Sequence, residues 1–143
     1  GELTGRYKSN PRDKGNAIHY AAALRAAGQP GQAVSVLEMG IETHPGDVDI
    51  AVAYAKALTA DGRFEQSLAV LDTVIRPDVP DWNALLVKGA TLDQMGRNDE
   101  ARQLYSQALT IAPGEASIEA NIGLSYAMTN QLGPAEQLLR RAV

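Results

Sequence analysis

Apolar residues recur along this chain three or four apart, in runs separated by short polar breaks carrying Gly, Asn or Pro, which is the signature of amphipathic helices. The most fully punctuated stretch is Trp82 to Glu115, WNALLVKGATLDQMGRNDEARQLYSQALTIAPGE. Leu85, Leu86, Gly89 and Leu92 form one helical run that stops at Gly96; Ala101, Leu104, Tyr105, Ala108 and Leu109 form a second, closed by Pro113. The landmarks return at a spacing of 34 residues: Gly96, Ala101 and Tyr105 match Gly62, Ser67 and Leu71, then Gly28, Ala33 and Leu37, and in the other direction Asn130, Ala135 and Leu139. Pro113 matches Pro45, with Val79 between them. This period predicts an all-α solenoid of antiparallel helix pairs in four units, 14–47, 48–81, 82–115 and an incomplete 116–143. Residues 1–13 read as an N-terminal tail or the close of a preceding unit, a frayed turn or short helix.

Within the first unit the pattern places helix A over 15–27 and helix B over 31–44, with Gly28 supplying a left-handed residue between them and Pro30 at a helix start. In the second unit helix B is placed on FEQSLAVLDTVIR, 64–76, and should end by Arg76, because Pro77 disfavours a continuing α conformation before it. Asp81 is placed to cap the next helix after the irregular RPDVPD loop. In the fourth unit Asn130 takes the place of the turn glycine, and the chain stops partway through PAEQLLRRAV. The last apolar face of a solenoid needs a cap, so the natural protein is expected to continue past Val143 or to bring this face against another chain.

The small residues early in each helix B (Ala33, Ser67, Ala101, Ala135), the bulky ones four later, and Ala21, Ala55, Gly89 and Gly123 on helix A together resemble the tetratricopeptide repeat (TPR). The resemblance covers nearly the whole chain and implies a right-handed solenoid whose A helices line a concave groove. Lys88 departs from the family's usual Leu, and its usual Trp is Ala17, Ala51, Leu85 or Glu119. Ser67 replaces the usual Ala, with a hydroxyl that can bond a carbonyl one turn back. More narrowly, NPRDKGNAIHYAAALRAAGQPGQAVSVLE resembles the TadD-type protein of bacterial tight-adherence (Flp) pilus systems. That likeness implies assembly of a pilus secretion apparatus and a place on the periplasmic side of the outer membrane as a lipoprotein. The lipoprotein signal of that family is not in this sequence, and a cytoplasmic location is the alternative.

Composition fits this picture. The chain is 45% hydrophobic and only 5% aromatic, which suits helices packed through alanine. It has no cysteine, and therefore no disulfide or thiolate site. No run approaches the roughly 18 apolar residues of a membrane helix. The net charge of −4 is uneven: residues 1–28 hold five Lys/Arg against two acids, residues 29–115 six against thirteen. An acidic middle argues against nucleic acid as a partner.

Chemistry is hard to find. His19 and His44 sit in different helices without HExxH spacing, GQPGQ at 28–32 is a turn rather than a phosphate loop, and no serine lies in GxSxG. No catalysis, metal or cofactor is expected. The positions the resemblance turns toward the groove are Ile18, Ala22, Arg25, Val52, Lys56, Leu86, Ala90, Asp93, Asn121, Leu124 and Met128. The two-carboxylate clamp of chaperone-binding members would fall on Ile18, Ala22, Ala53, Asn83 and Val87, of which one is polar, so chaperone capture is not expected. An apolar groove instead suits an amphipathic helix or extended apolar segment of a protein partner, such as a pilus or secretion component. The competing reading packs part of this stripe against neighbouring helices. Trp82 is either an interface anchor or a cover for the RPDVPD loop. Two other functions stay open: a regulatory or substrate-docking part of a larger enzyme, and an oligomerisation module that associates through the uncapped C-terminal face.

Overall fold

The computed structural model describes residues 1–78 and 80–129, so Asn130 and the helix expected over PAEQLLRRAV, with its uncapped face, lie outside them. The described residues form eight α-helices: α1 (Glu2–Ser9), α2 (Lys14–Ala26), α3 (Pro30–Thr43), α4 (Val48–Ala60), α5 (Phe64–Asp72), α6 (Trp82–Gln94), α7 (Asn98–Ile111) and α8 (Ala116–Met128). They fall into two compact units, Gly1–Val74 with α1 to α5 and Ile75–Val143 with α6 to α8.

The helix ends repeat with the sequence. Asp13 accepts a hydrogen bond from Asn16 N at 2.8 Å, Asp47 from Ile50 N at 3.0 Å and Asp81 from Ala84 N at 3.0 Å, so α2, α4 and α6 each start on an aspartate that satisfies a free N–H. Glu115, next in the series, makes no such cap. At the other end Gly28, Gly62 and Gly96 have φ of 76°, 80° and 81°. The residue after each glycine donates its N–H back five residues to the carbonyl of Leu24, Leu58 or Leu92 at 2.8 to 2.9 Å, a Schellman closure that turns the chain into the next helix.

In the first unit α2 packs on α3 and α4, α3 on α4, and α4 on α5. Ala17, Ala21, Ala33 and Ala57 let the backbones approach, while Leu24, Leu37, Ile50 and Leu58 fill the core between them. Residues 1–13 contain a helix of eight residues rather than a frayed turn; Tyr7 of α1 stacks on Tyr20 of α2 with ring centroids 4.9 Å apart.

Two local expectations are corrected. Helix α5 ends at Asp72 and does not reach Arg76. Thr73, Val74 and Ile75 are β-branched, Pro77 supplies no N–H to bond back, and Thr73 Oγ1 takes the Val70 carbonyl at 2.6 Å, so the chain leaves the helix early. The Ser67 hydroxyl does not bond within its own helix; it donates to Ala55 O of α4 at 2.9 Å and accepts from Thr59 Oγ1 at 2.7 Å.

In the second unit α6 packs on α7 and on α8, and α7 on α8. Ala101, Tyr105 and Ala108 of α7 are buried, and Tyr105 lies against Gly89 of α6.

Candidate functional site

The expected groove positions lie on α2 and α4 in the first unit and on α6 and α8 in the second, and each pair of helices is in contact.

In the first unit Ile18, Ala22 and Arg25 follow one stripe of α2, and Val52 and Lys56 follow one of α4. Ile18 packs partly onto the core and Ala22 stays half-buried. Val52 is 3% exposed, so its expected place on an open surface is corrected: α4 is held by α2, α3 and α5, which leaves only a narrow strip uncovered. Arg25 and Lys56 are both half-buried. Burial holds the Arg25 guanidinium below its ordinary pKa; Lys56 is lowered by burial first and by the charge of Arg25 second.

In the second unit two further positions move inside. Leu86 is 9% exposed and Asp93 5%. Asp93 was expected to be free for a partner, yet its carboxylate is fully engaged. Its Oδ2 accepts from Tyr105 Oη at 2.7 Å, and its Oδ1 accepts from Asn98 Nδ2 and from Ser125 Oγ, each at 2.7 Å. Arg102 Nη1 then donates to Ser125 O and Oγ at 3.2 and 3.1 Å, and its guanidinium lies 4.5 Å from the Tyr126 ring centroid. One buried carboxylate thus joins α6, α7 and α8. Burial, then Asp93, pushes the Tyr105 hydroxyl far above its ordinary pKa, while Asn121 of α8 partly offsets the rise. Asn121 on α8 is half-buried, as is Ala90 on α6. Leu124 and Met128, one turn apart on α8, are 61% and 47% exposed.

The network was legible in part. Arg25, Thr59 and Asp93 are equivalents 34 residues apart, as are Ala22, Lys56, Ala90 and Leu124. The first series turns inward to polar partners where they exist; the second stays accessible. Alignment by the period reveals the series, but Ser125, 32 residues from Asp93, carries no pattern that announces the contact.

Outside these positions, a hollow of about 330 Å³ in the second unit is lined by Ile75, Pro77, Pro80, Leu85 and Ile111 among others. Trp82, in the first turn of α6, is half-buried and is not among the lining residues. Among the described residues no group of three or more His, Cys, Asp or Glu could hold a metal ion, and no helix is long and apolar enough to cross a membrane.

A helix-pair repeat of 34 residues with buried small residues at each crossing, left-handed glycine turns and recurrent aspartate caps defines a protein-interaction repeat. Two sequence models of the tetratricopeptide repeat match the chain, at residues 24–88 and 83–115, and the chain belongs to that family. No curated protein matches it in sequence. Solved structures share the fold at low identity. PilW, a widely conserved type IV pilus biogenesis factor, has a TM-score of 0.79 and 18% identity, over 94% of this chain and 63% of that one. The first TPR domain of human RPAP3 has a TM-score of 0.72 and 13% identity, over 85% and 95%. MamA from Desulfovibrio magneticus RS-1 has 0.70 and 16%, over 97% and 78%.

Proposed function

We propose that this chain is a non-catalytic scaffold that holds a segment of a protein partner on its A-helix faces, as an adaptor in assembly of a bacterial Flp/Tad-type pilus or its secretion apparatus. The observation that carries the binding reading is the exposed pair Leu124 and Met128 on α8, large apolar side chains one turn apart beside half-buried Ala90 and Asn121. Covering such side chains contributes about 25 cal/mol per Å², which favours an apolar or amphipathic segment. The pilus setting rests on the TadD-like stretch at 10–38 and is supported by the fold shared with a pilus biogenesis factor. By the same resemblance the protein acts at the periplasmic side of the outer membrane as a lipoprotein.

Affinity capture from the source organism's envelope tests this. Wild type is expected to recover a pilus or secretion component that Leu124→Asp/Met128→Asp does not. Equal recovery by both rejects the α8 face as the binding surface, and absence of any such component from the wild-type capture rejects the adaptor role. Leu86 is left unaltered because it is buried, so a charge there would report unfolding.

A further inference from the structure

Arg25, Thr59 and Asp93 occupy one repeat position, near the end of α2, α4 and α6. Thr59 is hydrogen-bonded to Ser67 of α5 and Asp93 to Tyr105 and Asn98 of α7 and Ser125 of α8, so two of the three equivalents are satisfied by neighbouring helices. Arg25 is not: its Nε is buried and has no hydrogen-bond partner among the described residues. A buried N–H left unpaired costs free energy, more so on a charged group. Lys56 sits on α4, which packs against α2, and the charge of Arg25 acts on it. Among the described residues neither cation forms an ion pair, in a unit carrying nine Asp/Glu against seven Lys/Arg. Two like charges on packed helices, each half out of water and neither paired with an acid among the described residues, raise the free energy of the fold; an anion that reaches both removes that penalty.

The geometry points to a carboxylate-binding site formed by Arg25 and Lys56 on the α2 and α4 face of the first unit, taking an Asp or Glu side chain or the C-terminal carboxylate of the partner segment. This rests on the reading of the A-helix faces as docking surfaces. A guanidinium fork matches the two oxygens of a planar carboxylate, and the ammonium adds a point charge. Phosphate fits less well, because Arg25 is in the last turn of α2 and Lys56 in the third turn of α4, so neither helix presents its N-terminal N–H groups. The pair is also distinct from the family's two-carboxylate clamp, whose places here are Ile18, Ala22, Ala53, Asn83 and Val87.

The test is a random dodecapeptide library displayed in two formats, with free and with blocked C-termini, selected against the whole chain, Arg25→Gln/Lys56→Gln and Leu124→Asp/Met128→Asp. Wild type is expected to enrich apolar peptides containing an acid, binding about tenfold tighter than Arg25→Gln/Lys56→Gln does. Changing the peptide's Glu to Gln should cost the same factor with wild type and nothing with the variant. Enrichment confined to free C-termini assigns the terminal carboxylate, and enrichment in both formats the side chain. Peptides that lose affinity for Leu124→Asp/Met128→Asp, show no acid preference and bind Arg25→Gln/Lys56→Gln as well as wild type overturn the carboxylate site and leave the docking face standing. Failure of every selected peptide to respond to either variant overturns both. Competition by inorganic phosphate with no preference for acidic peptides overturns the carboxylate assignment. The charge variant should melt no lower than wild type, so weakened binding cannot be ascribed to unfolding.

Discussion

The ring of Tyr105 occupies the space that a Cβ on Gly89 would need: a methyl there would lie 2.9 Å from Cδ1 and 3.0 Å from Cζ, and closer still to Cε1. The ring cannot swing away cheaply. It is buried, and its hydroxyl is tied to Asp93, one turn beyond Gly89 on α6. Gly89→Ala is therefore expected to destabilise the second unit by about 1–3 kcal/mol through overpacking, despite alanine's better helix propensity. Gly123→Ala on α8, where a Cβ meets nothing within 4 Å, serves as the contrast and should stabilise by roughly 0.5–1 kcal/mol. Thermal melts of the two variants check this; equal shifts would show that the ring yields.

Asp93 and Tyr105 should behave as a coupled pair. Asp93→Ala strands the Tyr105 and Ser125 hydroxyls in a buried site, at about 1–3 kcal/mol for each group left unpaired. Tyr105→Phe removes one donor and should cost less, because Asn98 and Ser125 still serve the carboxylate. A double-mutant cycle in denaturant is expected to return a coupling of about 1 kcal/mol or more, and additive effects would refute a direct link.

Ser67→Ala places the family's usual residue at this crossing, yet it is expected to cost about 1 kcal/mol. The loss falls on Ala55 O and Thr59 Oγ1, which Ser67 now serves across the α4 and α5 interface. Thr59→Val/Ser67→Ala, which removes both hydroxyls together, should recover part of the loss. Denaturant midpoints at constant m-value decide it.

Lys56 gives a pH test with a defined sign. Its pKa in the folded chain lies below the ordinary 10.5, so the unfolded chain binds the proton more tightly and protonation works against folding. That penalty is full below the folded-state value and is relieved as pH rises toward and past 10.5. Lys56→Met is therefore expected to be more stable than wild type at neutral pH, by roughly a few tenths of a kcal/mol once solvent screening of a half-exposed charge is allowed for, with the advantage shrinking as pH climbs through this window. Taking the difference between the two proteins cancels the tyrosines, whose raised pKa values act oppositely in the same range. A stability difference that stays constant from neutral pH through pH 10.5 would remove the electrostatic account.

The sequence by itself determined the period, the helix pairs, the glycine turns and the Asp81 cap, because each depends on contacts within a few residues or on small side chains recurring every 34. It also marked the stripe on which Ala22, Lys56, Ala90 and Leu124 remain accessible. Only the tertiary structure decided which of the other expected groove positions are free. Val52 and Leu86 differ little from Leu124 in kind, yet two are buried and one is open, since burial depends on how many helices flank each A helix. Asp93 and Arg25 share one repeat position, but satisfaction depends on partners 5, 12 and 32 residues away for Asp93, and Arg25 meets none among the described residues. Periodicity reports which way a side chain points; whether something polar waits there is settled by packing.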